Sequence, residues 1–449
     1  MILTAMELTN FRCFESLSVS LHRYVNVFVG GNGSGKSTIL DAIGLALAPI
    51  LSHLPFEKKS KRSAIAPSDI LLVGEDRAAP ISHIVAHGKT ERLEPISWVR
   101  TRYRDLSSTT RSLIASPPAD TKELYRYLDR ITDAHNENKQ YTLPVLAYYG
   151  TDRAVNVPHN RLRQHVIPKY FRRLAGLDGA LDTKTDFRRS IGWFDFLEQR
   201  ELRAQRDREI EGPLTALDSV REAVKQMVPD IRNPRIDGST GRFAVDVRDP
   251  NGNDVKLHLD QLSDGYQVML GVVMDFALRL ALANPPERTP QEALASEAIL
   301  VIDEIDLHLH PEWQQRVIAD LRRTFPNTQL ILSTHSPQVL STVKAESIRA
   351  ISQSGGVKVV ETPLFQTRGV DSADVLAGVM NVDPVPRVEE SKMLHEYRAM
   401  ISDGTHDSPQ GRDLRDRLVT HFGAQHPVIL DCDRLIRSGE SKRRTVKES

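Results

Sequence analysis

Cysteine is almost absent: Cys13 and Cys432 are the only two in 449 residues. That excludes a disulfide framework and any cysteine-based zinc site, leaving two isolated thiols. Net charge is absent too, with 59 basic against 59 acidic residues, so the chain as a whole carries no electrostatic footprint for nucleic acid. No apolar run reads as approaching the roughly 20 residues that a membrane-spanning helix needs. The first residues also lack the basic, apolar and small-residue pattern of a secretory leader. The expectation is a cytoplasmic protein with no membrane partner. What the composition does supply is ordinary globular material, 40% hydrophobic with a mean hydropathy of −0.34, in a chain long enough for roughly two or three structural units.

Residues 25–38 read VNVFVGGNGSGKST. An aliphatic strand runs into GxxxxGK[ST] and then into an amphipathic helix expected over 39–47, which is the context a phosphate-binding loop requires. Glycine leaves the backbone free to turn, so N–H groups of Asn32, Gly33, Ser34, Gly35 and Thr38 can face phosphate oxygens, backed by the positive end of the helix. Lys36 would reach the β- and γ-phosphates, and the Ser37 hydroxyl would hold Mg²⁺.

A second segment, AILVIDE at 298–304, is a continuous apolar run of the kind a parallel strand buried on both faces carries. It ends in two carboxylates, delivered to the carboxyl edge of the sheet where open α/β folds bind ligands. There Asp303 would join Ser37 in holding Mg²⁺, and Glu304 would orient and deprotonate the attacking water.

Further segments narrow the reading. LSDGYQ at 262–267 opens a long apolar helix expected over 268–282, DLHLHP at 306–311 follows the acid pair, LILSTHSP at 330–337 is another buried strand ending in a histidine, and LTNFRCF at 8–14 ends a strand in an arginine. In this order the segments resemble the signature, D-loop, switch-histidine and arginine-bearing strand of ABC-type ATPases, in the soluble SMC, Rad50 and RecF branch. The resemblance implies an α/β fold: an ABC-type P-loop head with an antiparallel β-subdomain, a short helical lid insertion and a helical C-terminal module. It also implies ATP as the nucleotide, Arg12 among the nucleotide-binding residues, Asp306 as the D-loop acid and His335 as a catalytic switch. Two heads of this family stack head to tail, so Ser263 and Gly265 would close the nucleotide of a second copy in a homodimer or higher homo-oligomer. Asp264 departs from the family pattern by replacing a glycine, and its side chain is expected to point away from the phosphates.

The stretches between the motifs fit that plan. Residues 81–87 and 96–103 alternate at period two and read as an antiparallel pair. Residues 143–153 read as a core strand delivering Tyr149 and Arg153 to the nucleotide edge, and a helical stretch follows over 161–227. Residues 243–247 and 255–259 read as a hairpin leading into the signature, and a polar loop is expected over 284–297. The expected organisation is an N-terminal lobe 1–160, a lid 161–228, a C-terminal lobe 229–365 and a helical docking module 366–449. In the last of these, Val428, Ile429, Leu435 and Ile436 form an apolar stripe suited to a partner.

LSDGY, HLHP, THSPQ and the helical tail resemble the ATPase subunit of Septu-type and retron-associated antiphage systems. The partner this implies is a separate HNH nuclease and, in retron systems, a reverse transcriptase with its RNA and DNA. Two alternatives remain open. One is a RecF- or SMC-like repair ATPase acting directly on DNA, although the locally basic residues 150–210, which include the arginine-rich stretch Arg161, Arg163, Lys169, Arg172 and Arg173, read rather as a solvated helix face. The other is an OLD-like ATPase–nuclease with metal ligands at Glu361, Asp431 and Asp433. Replacing Lys36 by alanine removes the cation from the phosphate loop, and nucleotide titration of the variant should show at least about tenfold weaker binding, the equivalent of one charge-assisted hydrogen bond.

Overall fold

The computed structural model describes residues 1–447 apart from 56–63, 75–76, 106–119, 154–172, 184–186, 250 and 284–288. Arg161, Arg163, Lys169 and Arg172 of the arginine-rich stretch, and Pro285 and Pro286 of the expected loop, lie outside the described residues. Two compact units result, Met1–Val375 and Leu376–Ser449.

Strands are numbered along the chain. In the first unit, β1 (Ile2–Phe11), β2 (Phe14–Ser20), β4 (Ile81–Lys89) and β5 (Pro95–Tyr103) form an antiparallel sheet in the order β2-β1-β4-β5. The pair expected over 81–103 is β4 with β5, in a register that sets Val85 opposite Val99. The central sheet has the order β13-β12-β3-β11-β10-β6, built from β3 (Val25–Val29), β6 (Val145–Tyr149), β10 (Ala298–Ile302), β11 (Thr328–Ser333), β12 (Ile348–Ser354) and β13 (Val357–Glu361). All its neighbours are parallel except the β12–β13 pair. Strands β3, β6, β10 and β11 are buried along their whole lengths, which is why they read as unbroken apolar runs. Two of the polar exceptions are satisfied by backbone partners. Asn26 donates to the His22 carbonyl at 2.8 Å, and Gln329 both donates to and accepts from the Leu3 backbone at 2.7 and 2.9 Å, tying β11 to β1.

Helix α1 (Lys36–His53) is longer than the expected 39–47 and is not amphipathic: nearly every side chain from Ile39 to Leu51 is buried. It packs against β11, β4 and β5, so no face is left for polar residues. Trp98 of β5 donates to the Ala46 carbonyl at 2.7 Å and fixes that contact. Helix α2 (Lys122–Asn136) buries Leu124, Tyr127, Leu128 and Ile131 at helical spacing.

Among the described residues of the expected lid 161–228 are two helices, α3 (Arg188–Arg206) and α4 (Thr215–Met227). Phe194 of α3 meets Phe243 edge-on at 5.4 Å, and α4 packs along α5 (Asp264–Ala283). The hairpin expected over 243–259 is β8 (Phe243–Arg248) with β9 (Asp254–His258), joined by a third strand, β7 (Ile231–Ile236). Pro234 hides β7 from a pattern reading, and the pairing slips between Arg232 and Arg235 to accommodate it. The expected polar loop over 284–297 instead contains a helical turn, Pro290–Leu294. Thr289 and Glu292 cap it reciprocally, so the sequence TPQE is a capping box. The last long helix of this unit, α6 (Val317–Thr324), precedes β11.

One expectation about apolar length needs correcting. Helix α5 is long and apolar enough to cross a membrane, but 83% of its most apolar window is buried inside the protein. Asp264, Asp275 and Arg279 break the run when letters are read in order; only the helix as a whole passes the test. Asp275 and Arg279 are buried together on α5 at 2.7 Å. The carboxylate also accepts from Tyr149 of β6 at 2.7 Å and Ser190 of α3 at 2.6 Å, while Arg279 reaches the Gly176 and Asp178 carbonyls at 3.0 and 2.9 Å. Tyr149 was expected at the nucleotide edge; its hydroxyl instead spans from the sheet to α5.

The second unit is built by α7 (Glu389–Asp403), α8 (Pro409–Phe422) and α9 (Pro427–Lys447) around Tyr397, Ile401, Leu414, Leu418, Ile429 and Cys432, with Ile436 packed on them. This corrects the docking stripe. Ile429, Cys432 and Ile436 share one face of α9 and close this unit's own core, whereas Leu430 and Leu435 are exposed. Asp431 pairs with Arg398 and Arg434, and Asp433 with Arg415, while Glu361 closes β13 in the other unit.

Replacing Ile429 by alanine should cost the helical unit about 2–5 kcal/mol, seen as faster amide exchange across α7–α9. Leu430→Ala, at an exposed site on the same helix, should stay within about 0.5 kcal/mol. Asp275→Ala strands the buried Arg279 and should cost about 3–5 kcal/mol in denaturant unfolding. Burial pushes the Asp275 carboxyl up, but Arg279, Ser190 and Tyr149 outweigh it and hold it below its ordinary value. Its contribution is therefore full at neutral pH and lost as pH falls through the folded-state value, so the variant should lose stability less steeply in acid.

Candidate functional site

The parallel registers bring four strand ends to within about two residues of one level. Phe28 lies beside Ser333, Leu332 beside Ile302, and Ile302 beside Tyr149. The segments that leave these ends are the phosphate loop, the acid pair, the histidine segment and the turn to Arg153.

In the phosphate loop, Gly33 and Gly35 sit at φ +73° and +111°, where glycine is needed. A side chain on Gly35 would also strike the Phe14 ring, with a Cβ only 2.5 Å from it. Helix α1 starts here with no side-chain cap and no acid in its first turn, so its leading N–H groups at Lys36, Ser37 and Thr38 are of the kind that bind anions. The buried hydroxyl of Ser34 has no protein partner, which suits a phosphate oxygen. Lys36 is buried and donates to the Gly30 and Gly31 carbonyls at 2.9 and 3.2 Å. Burial lowers its pKa, opposed by Asp303, Glu304 and Asp306. The Ser37 hydroxyl and Asp303 carboxylate are hard oxygen donors of the type Mg²⁺ takes.

The acid pair is held by Ser333, a residue that sequence reasoning passed over inside LILSTHSP. Its hydroxyl donates to Asp303 Oδ1 and accepts from the Glu304 N–H at 2.7 Å. Glu304 has a left-handed backbone, φ +50°. Asp306 accepts from Thr334 Oγ1 at 2.6 Å and from the His335 N–H at 3.3 Å, joining the D-loop acid to the histidine segment. Arg153 is buried and donates to the carbonyls of Gly150, Asp303 and Glu304.

Arg12, expected among the nucleotide-binding residues, is engaged by two carboxylates. Its Nε pairs with Asp69 at 2.8 Å and its Nη1 with Asp41 of α1 at 2.6 Å, so it braces the phosphate-loop helix against β1. Ser263 and Asp264 are exposed at the start of α5. Gly265 lies so close to the His308 carbonyl that a Cβ there would sit 2.5 Å from it, and Tyr266 meets Trp313 edge-on at 4.7 Å. The signature therefore packs on the D-loop segment at His308 and on Trp313 just beyond it, and among the described residues no hydrogen bond joins it to the phosphate loop. Lys358 on β13 was unsuspected. Its ammonium lies 2.8 Å from the Gly33 carbonyl and 5.7 Å from the Phe14 ring centre, and an edge strand without a motif offers no signal for it. Arg173, the described member of the arginine-rich stretch, donates to the Ala283 and Tyr141 carbonyls and stacks on Tyr141 at 3.8 Å.

Similar proteins extend along most of the chain. The Retron Ec83 probable ATPase of Escherichia coli is 27% identical over 95% of this chain and 85% of its own length. The Retron Vc95 probable ATPase of Vibrio cholerae serotype O1 biovar El Tor is 26% identical over 93% of this chain and 87% of its own. The Septu protein PtuA of Bacillus thuringiensis is 34% identical over 19% of this chain and 23% of its own. The family described as "AAA domain, putative AbiEii toxin, Type IV TA system" matches residues 25–341, a span that opens with β3, holds Lys36, Asp303 and Glu304 and runs past His335, so the chain belongs to that family.

Proposed function

We propose that this chain is the ATP-hydrolysing ABC-type head of an antiphage defence complex, in which nucleotide-dependent pairing of two heads controls a separate HNH nuclease. The observation that carries the reading is the meeting of Lys36, Asp303, Glu304 and the Asp306–Thr334–His335 link at one sheet edge. The near full-length likeness to two retron ATPases and the local likeness to a Septu protein support the defence setting, and a retron reverse transcriptase with its RNA and DNA is the further partner that setting supplies.

In this mechanism Lys36, Ser34 and the first N–H groups of α1 bind the phosphates and orient the terminal one. Ser37 and Asp303 would hold Mg²⁺, which when bound would neutralise charge on the phosphate oxygens. Glu304 takes a proton from water as its oxygen bonds to the terminal phosphorus, and the bond from that phosphorus to the bridging oxygen breaks, leaving ADP and phosphate. His335, two residues past the end of β11 and joined to Asp306 through its backbone N–H, would contact the transferred phosphoryl group. Ser263 and Gly265 of a second copy close the site from the far side, consistent with the exposed start of α5.

Glu304→Gln keeps the shape and removes the base. ATP binding should persist, hydrolysis should fall by about 10²–10⁴-fold, and an ATP-dependent dimer should accumulate in light scattering. Wild-type turnover in the variant would remove Glu304 from the mechanism.

A further inference from the structure

Arg153 is a full positive charge only 3% exposed, and it stands within hydrogen-bonding reach of the acid pair's backbone without touching its carboxylates. All its hydrogen-bond acceptors are main-chain carbonyls: Gly150 at 3.1 Å, Asp303, and Glu304 at 2.5 Å. Among the described residues it forms no ion pair. A charge buried at such cost is ordinarily paired with a carboxylate. Here three carboxylates, those of Asp303, Glu304 and Asp306, are near enough to act on it electrostatically, yet the guanidinium is spent on carbonyls and the acids keep their oxygens for other partners.

The carbonyls it takes lie just past the end of β10 at Ile302. Asp303 still donates its N–H to the Tyr149 carbonyl at 2.9 Å, and the Glu304 carbonyl, which also accepts from the Leu307 N–H at 2.9 Å, takes Arg153 as a second donor at a buried edge where backbone oxygens need partners. A planar fork with five donors can bridge several such oxygens at once, whereas a lysine ammonium would reach them only as a point charge. Glu304 also adopts φ +50°, a left-handed conformation that is unfavourable for a non-glycine residue. It is gripped from both ends: the N–H by Ser333 Oγ at 2.7 Å and the C=O by Arg153. The clamp is itself anchored, because Gly150 donates to the Thr183 carbonyl at 3.2 Å and lies so close that any Cβ there would sit 2.8 Å from it.

We propose that Arg153 is a positioning residue for hydrolysis: it holds the backbone of Asp303 and Glu304 in the left-handed turn that aims Glu304 at the attacking water, and it makes no contact with nucleotide. This rests on the ATPase reading above. A misplacement of about 1 Å in a positioned group can cost on the order of 10²-fold in rate, so the consequence is a loss confined to kcat.

The experiment measures steady-state ATP hydrolysis, nucleotide affinity and thermal unfolding for the full chain and for Arg153→Lys and Arg153→Gln. The expected result is kcat lower by about 30–100-fold in both variants, with KM and nucleotide Kd within about threefold of wild type and folding retained. Arg153→Ala supplied with methylguanidinium should recover part of the lost kcat, because the free cation can rebuild the bridge to the carbonyls. Unchanged kcat in the lysine variant, a Kd that weakens in step with the activity, or unfolding of both variants would each overturn the positioning role. Absence of hydrolysis by the wild-type chain would instead strike at the ATPase reading, so the two failures are told apart.

Discussion

Parallel pairing of β3, β11, β10 and β6 is the constraint from which the site follows. A strand buried on both faces has nowhere along its length to put a charge, so Lys36, Asp303, Glu304 and His335 all lie beyond the last buried residue of their strands. Because the registers leave those last residues within about two residues of one level, groups separated by hundreds of residues in sequence arrive at one edge. A slip of one residue in any of these strands would turn its apolar set the wrong way and carry its functional group out of line.

At that edge the structure spends polar groups on the backbone as much as on side chains. Ser333 serves both members of the acid pair, Arg153 takes two of their carbonyls, and Asp306 accepts from Thr334 and from the His335 N–H. Such bonds are stronger in a low-dielectric interior than in water, and costlier when broken. The acid pair is therefore held in a hydrogen-bonded turn that is joined through Asp306 to the histidine segment.

A second buried polar cluster lies behind the sheet, where Asp275 and Arg279 of α5 join Tyr149 of β6 and Ser190 of α3. Removing two ions from water costs several kcal/mol each before any return, which is far more than exposed pairs such as Arg130 with Glu94 can recover. The cluster fixes the signature helix to the strand next to the acid pair and to the first helix of the insertion. One end of α5 is thus tied to the core while the other presents Ser263 at the surface.

The sequence alone was sufficient for every element that one strong local rule governs: the glycine-rich loop, the apolar strands, the β4–β5 alternation, and the order of the motifs. It failed where two rules compete. Pro234 masked β7, Asp275 and Arg279 masked how apolar α5 is over its full length, and the letters of α9 did not say which apolar residues face inward. Local chemistry determines whether a segment can be a strand, a loop or a helix, and what kind of group stands at its end, because those preferences act between near neighbours. Only the tertiary structure decided that Arg12 braces α1, that Tyr149 belongs to a buried cluster, and that Arg153 grips the acid pair, because each role depends on a partner from a distant part of the chain and on burial that makes the pairing obligatory.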